Sequence, residues 1–79
     1  MKVLITGASS GIGRDMAYYF AKLNYDLILV ARRKEKMEEI KKNVDVNVKI
    51  IPLDLAIKEN CYKLYDKVKN DNIDVLVNN

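Results

Sequence analysis

The chain has 79 residues, 49% of them hydrophobic and 32% charged, with a net charge of +3 from 14 basic and 11 acidic side chains. This is one small α/β-sized domain at most, too apolar to stay unfolded and too short to bury a large core. The charges are mixed rather than striped, so they do not mark a nucleic-acid binder. A single cysteine, Cys61, excludes an internal disulfide and fits a reducing cytoplasm. The chain has no histidine, which excludes a histidine base or ligand, and no residue cluster supports a metal site. No apolar run approaches the roughly 20 residues of a membrane span. The apolar start breaks at Gly7, before a signal-peptide core could form, so the chain is expected to begin with mature sequence.

In chain order, residues 2–6 form a short apolar run bounded by Gly7 and predict a buried strand. Residues 11–23 predict a helix whose apolar face is Ile12, Met16, Tyr19, Phe20 and Leu23. Asn24 can end it, because Asn tolerates left-handed backbone. Residues 26–31 contain the continuous run Leu27-Ile28-Leu29-Val30, expected of a strand covered on both faces in a parallel sheet. Residues 34–43 predict an amphipathic helix, with Met37, Ile40 and Val44 on one face and Glu38 and Lys42 paired on the solvated one. Residues 46–51 predict a strand ended by Pro52, and residues 56–70 a helix with the stripe Ile57, Cys61, Leu64 and Val68. Cys61 is thereby expected to be a small core residue, since nothing supplies a base to activate it. Residues 73–77 predict a last strand before Asn78-Asn79.

The alternation β-α-β-α-β-α-β implies parallel strands joined by right-handed helical crossovers. The expected fold is α/β: half of a doubly wound Rossmann fold, with a four-stranded parallel sheet in the order 3-2-1-4 and three crossover helices. The first two helices lie on one face and the third on the other. Strand four is then paired on one edge, and its face on the side of the first two helices is left uncovered. An open apolar edge favours association, so residues 1–79 are expected to be a piece, cut after strand four, and to self-associate through that edge.

Chemistry concentrates at the turn Thr6-Gly7-Ala8-Ser9-Ser10-Gly11-Ile12-Gly13, between a strand and a helix N-terminus. Such a turn holds a phosphate with main-chain N–H groups. Gly7 would make the tight turn, Gly11 would let a ligand approach the backbone, and Gly13 would let the helix sit close on the strand. The alternative is a generic β-α turn without a nucleotide. At the end of strand two, where an NAD-binding unit carries an acid, stand Arg32 and Arg33. Guanidinium groups suit a 2′-phosphate, which points to NADP rather than NAD. The alternative is that they only begin the charged helix.

With the glycine spacing G-x-x-x-G-x-G, Asp54-Leu55 after strand three and Asn78-Asn79 after strand four, the chain resembles the N-terminal cofactor-binding part of a classical short-chain dehydrogenase/reductase. The resemblance implies that the N–H groups around Ser9, Ser10, Gly11 and Ile12 hold the pyrophosphate and neighbouring ribose. It implies that Asp54 accepts from the adenine amino group, that Leu55 lines that pocket, and that Asn78 and Asn79 flank the adenine-ribose. For Asp54 the alternative is a helix-capping carboxylate. Ser10 departs from the basic residue that some NADP-preferring members carry there. The family's catalytic Ser and Tyr-x-x-x-Lys lie further along than this chain reaches. Its own two Tyr-x-x-x-Lys matches, Tyr18 to Lys22 and Tyr65 to Lys69, read as helix-surface residues, and no catalytic residue is assigned. The expected function is the NADP(H)-binding portion of an oxidoreductase acting on an alcohol or ketone, inactive by itself. A small-molecule substrate enters only in a full-length form. The alternative is a stand-alone nucleotide-binding or assembly module without redox activity.

Overall fold

The computed structural model describes residues 1–79. The elements are β1 (Lys2–Thr6), α1 (Gly11–Lys22), β2 (Asp26–Ala31), α2 (Lys34–Lys42), β3 (Val48–Pro52), α3 (Lys58–Val68) and β4 (Val75–Asn78). The strands form one sheet in the order β3-β2-β1-β4. All pairs are parallel, with Thr6 opposite both Val30 and Asn78, and Ala31 opposite Pro52. The four strands therefore end level with one another, and the residues that follow them meet at one sheet edge.

The inner strands are buried on both faces, as a continuous apolar run requires. Val3, Ile5, Leu27 and Leu29 face α1 and α2, joined by Ala17, Met37 and Ile40 in one cluster. Leu4, Ile28, Val30 and Ile51 face the other way, where Leu64 and Val68 of α3 pack on them. The first two helices thus share one face and the third covers the other, as right-handed crossovers dictate.

The packed face of α1 differs from the expected one. Gly13 and Ala17 are its buried residues, with Met16, Phe20 and Ala21 half-buried beside them. Ile12, Tyr19 and Leu23 are 70%, 57% and 51% exposed. The reason is steric: Gly13, which has no side chain, and the small Ala17 let the helix sit close on the Gly7–Ala8 turn and the sheet, and bulky residues on the flanks are then pushed outward. The helix ends at Lys22 in a Schellman arrangement. Asn24 takes φ 64°, its N–H donates to Ala21 O, and the Tyr25 N–H donates to Phe20 O at 3.0 Å. The Phe20 and Tyr25 rings meet edge to face at 5.0 Å, which is the hydrophobic contact this motif favours.

Pro52 is the last residue of β3 rather than the residue after it. The Leu53 N–H donates to Ala31 O, so the nitrogen of Pro52 faces away from β2, where the outer edge of the sheet needs no donor. Helix α3 is shorter than expected and has no buried residue. Cys61 is exposed, not a core residue. Only the C-terminal half of α3, through Leu64 and Val68, reaches the apolar cluster beneath it. The uncovered face of β4 is also the opposite of the expected one. Val75 and Val77 are half-buried against the α1 side, whereas Leu76, beneath the α3 side, is 65% exposed. The reach of α3 stops at Leu4, Ile28, Val30 and Ile51, leaving Leu76 without cover.

Candidate functional site

The glycine loop is built by three different demands. Gly7 has φ +63°, and a Cβ there would lie 3.0 Å from Asn79 O. A Cβ on Gly13 would overlap the Gly7 carbonyl oxygen and lie 2.9 Å from its carbon. Both glycines are therefore required by the fold itself. Gly11 is not: a Cβ there would meet no atom within 4 Å. What its missing side chain leaves open is space over the start of α1.

Ser10 caps that start. Its Oγ donates to Gly7 O at 2.9 Å and accepts from the Gly13 N–H at 3.2 Å. The Ser10 and Arg14 N–H groups are also taken, by Gly7 O and Ser10 O. The N–H groups of Ser9, Gly11 and Ile12 have no acceptor in the protein. They are three donors at the positive end of the α1 dipole, beside the open space at Gly11, and that combination attracts an anion.

The ends of β1 and β4 brace the loop. Thr6 Oγ1 donates to Asn78 Oδ1 at 3.0 Å and accepts from the Asn79 N–H at 3.1 Å. Asn79 Nδ2 donates to Gly7 O at 3.1 Å and to Ser10 Oγ at 2.7 Å. Asn78 and Asn79 thus act through their side chains as a brace for the glycine turn. Thr6, which the sequence reading passed over, is part of the same network. The signal for it was a lone hydroxyl at the C-terminal end of an otherwise apolar strand.

Across from the loop, the link from β3 to α3 brings in Asp54. Its Oδ1 accepts from the Ala56 N–H at 3.0 Å, a local turn that holds the carboxylate and leaves Oδ2 unengaged. Asp54 therefore does not cap α3, whose N-cap is Ile57, and one of its two oxygens closes a turn within the link instead. Between these walls lies an open cavity of about 330 Å³. Gly7, Ser9, Ser10, Arg32, Asp54, Leu55, Asn78 and Asn79 line it, with Val30, Ala31, Leu53 and Ala56 between them. Gly11, Ile12 and Gly13 lie outside the lining, as does Arg33. Gly11 and Ile12 stand in the first turn of α1, with Ile12 turned outward, and Gly13 is packed against Gly7 and Ala8. Arg33 is the residue preceding α2 and caps it with no side-chain bond. Arg32 is exposed, makes no ion pair and is the one basic residue among those that line the cavity.

The two Tyr-x-x-x-Lys matches lie away from this cavity. The Tyr18 hydroxyl accepts from Asn43 Nδ2 at 3.3 Å, and Tyr65 is 66% exposed on α3. Arg14 is a helix-surface residue beside Asp15, at 3.8 Å. No group of three or more His, Cys, Asp or Glu side chains is placed to hold a metal ion. No helix is long and apolar enough to cross a membrane.

Known proteins share this arrangement. The chain matches the short chain dehydrogenase family over residues 1–79. It is 41% identical to an 11-beta-hydroxysteroid dehydrogenase of Pinus massoniana, over 98% of this chain and 23% of that protein. It is 43% identical to an 11-beta-hydroxysteroid dehydrogenase-like protein of Arabidopsis thaliana, over 98% of this chain and 27% of that one. The chain thus spans about a quarter of the length of these relatives. Among solved structures, a short-chain dehydrogenase from Sphingobium yanoikuyae in complex with NADPH superposes with a TM-score of 0.83 at 35% identity, covering 95% of this chain and 32% of that one. L-sorbose reductase from Gluconobacter frateurii, complexed with NADPH and L-sorbose, does so with a TM-score of 0.86 at 34% identity, covering 99% and 32%. The sheet order, the glycine turn and the matched residues converge on one answer: the chain belongs to the short-chain dehydrogenase family of oxidoreductases.

Proposed function

We propose that residues 1–79 are the NADP(H)-binding portion of a cytoplasmic short-chain dehydrogenase/reductase and part of a longer protein. The observation that carries this reading is the pairing of three unpartnered N–H groups with a glycine that the fold does not need. A Cβ at Gly11 offends nothing in the protein, so its absence is explained by a ligand that comes close. NADPH complexes among the structural relatives support the same cofactor class.

The residues fit the parts of a dinucleotide. The N–H groups of Ser9, Gly11 and Ile12 take the pyrophosphate, with Ser10 holding the turn beneath them. Arg32, flanked by Arg33, takes the 2′-phosphate through charge-assisted hydrogen bonds. Asp54 Oδ2 accepts from the adenine amino group, and Leu55 packs on that ring. Asn78 and Asn79 keep the loop in place while their backbone borders the ribose. When bound, the cofactor supplies hydride exchange with an alcohol or ketone, and these 79 residues bind and orient it. By themselves they have no catalytic acid or base for that exchange, so turnover belongs to the full-length form with its small-molecule substrate.

Titration of the chain with NADP(H) and NAD(H), beside the Arg32→Ala variant, tests the assignment. Loss of a charged hydrogen-bonding group costs about 1.5–3 kcal/mol, so NADP(H) affinity is expected to fall roughly tenfold to a hundredfold. NAD(H) affinity stays unchanged. Equal affinities of both variants for NADP(H) remove Arg32 from the site.

A further inference from the structure

We propose that Asn60 is a positioning residue that holds Asp54 in the orientation needed at the adenine end of the cofactor. The inference rests on the reading of Asp54 as an adenine contact. Asn60 stands in the first turn of α3, and its Nδ2 reaches back to donate to Asp54 O at 2.9 Å. Asp54 Oδ1 reaches forward to the Ala56 N–H at 3.0 Å. The two side chains thus close the turn from both ends, each satisfying a main-chain group of the other's segment. Oδ2 is the oxygen left to face the cavity.

Few other polar side chains hold this turn. Ile57, at the start of α3, makes no side-chain cap, and no residue of α3 is buried. Leu53 ties the link to β2 through its N–H, but that bond lies before Asp54. The Asp54 carbonyl has one other partner, the Ile57 N–H at 3.2 Å. The Cys61 Sγ contact to Leu55 O, at 3.6 Å, is a weak bond. Packing of Leu53 and Leu55 on the apolar cluster holds the chain on either side of Asp54, and the half-buried Asn60 amide supplies the side-chain bond to its carbonyl. Without it the plane between Asp54 and Leu55 can turn, and the Ala56 N–H that holds the Asp54 carboxylate shifts with it. A polar bond of this kind contributes a factor of about three to ten in an equilibrium constant. The helix that follows the link carrying this acid thereby also sets how well the acid is aimed.

The test uses the 79-residue chain with two probes, NADP(H) and its hypoxanthine analogue, in which a carbonyl replaces the amino group of adenine. Dissociation constants are measured for the wild type, Asn60→Ala, Asn60→Leu (which fills similar volume without a donor) and Asp54→Ala. Both Asn60 variants are expected to weaken NADP(H) about three- to tenfold and to leave the analogue within about twofold of the wild type. Combined with Asp54→Ala, they are expected to add nothing further. If Asp54→Ala weakens NADP(H) but Asn60→Leu does not, the role of Asn60 is overturned. It is overturned equally if Asn60→Leu weakens both probes alike, since that is general loosening of the pocket. If Asp54→Ala has no effect on NADP(H), the placement of Asp54 falls, and the role of Asn60 with it.

Discussion

Gly11 and Gly13 differ by two positions and by their whole reason for being glycine. In Gly13→Ala the new Cβ meets the Gly7 carbonyl, which is backbone and cannot swing away. Overpacking of this kind costs about 1–3 kcal/mol, and each 1 kcal/mol lowers the melting temperature of a domain this size by about 4–8 °C. A thermal melt checks it. In Gly11→Ala the Cβ enters open space, so stability is expected to stay within about 0.5 kcal/mol. NADP(H) affinity is what is expected to fall, because the Cβ would enter the open space proposed for the pyrophosphate. The pair of variants therefore separates a glycine kept for folding from one kept for a ligand. The role of Gly11 is what the two variants test. Sequence spacing alone anticipated the tight turn at Gly7 and the close packing at Gly13, because turn chemistry is local. It could not see that Asn79 uses its side chain to brace Gly7 and Ser10, since that bond joins residues 69 positions apart or more.

At the scale of elements, α1 and α3 departed furthest from their apolar patterns. A hydrophobic stripe tells which residues can be buried. Which of them are depends on how closely the helix approaches the sheet, and in α1 that is set by Gly13 and Ala17. In α3 the stripe is real, but the cluster below it is small and takes only Leu64 and Val68. Met37→Ala, in the buried contact of α2, is accordingly expected to cost about 2–5 kcal/mol, and Leu64→Ala clearly less, as read by denaturant unfolding. What ties the far end of α3 down is charge. Lys49 Nζ donates to Lys67 O at 2.8 Å and to Asp71 Oδ2 at 3.0 Å, and Lys2 Nζ reaches Asp71 Oδ1 at 3.4 Å. The hydrogen bond from Lys49, helped by Lys2 against partial desolvation, holds the Asp71 carboxyl below its ordinary value of 3.8. A carboxylate with a lowered value stabilises the folded state above 3.8 and loses that contribution as pH falls through the folded value. Melting temperatures between pH 6 and pH 3 are therefore expected to fall for the wild type at the acid end. Asp71→Asn is expected to start lower at neutral pH and to converge with the wild type as pH falls through the lowered folded value of Asp71. Parallel curves would show that Asp71 carries no such linkage.

At the scale of the molecule, one outer strand of the sheet is protected and the other is open. β3 ends in Pro52 and carries Lys49. β4 reads Val-Leu-Val-Asn, has no partner on its outer side and exposes Leu76. An uncharged apolar edge is where a strand from another chain can add. Sedimentation of the 79-residue chain is expected to show association that grows with concentration, and Leu76→Lys is expected to reduce it. A concentration-independent monomer would set that expectation aside. The sequence by itself determined the alternation of elements, the strand order and the gathering of Gly7, Arg32 and Asp54 at the ends of the strands. Periodicity, turn residues and crossover handedness are short-range rules, and they leave few topologies open. Only the tertiary structure decided which face of α1 is buried, that Cys61 is exposed, which side of β4 lacks cover, and that Thr6, Asn79 and Asn60 hold the site in shape. Each of these depends on how near two distant segments come, and that distance is set by the side-chain volumes packed between them rather than by any pattern along the chain.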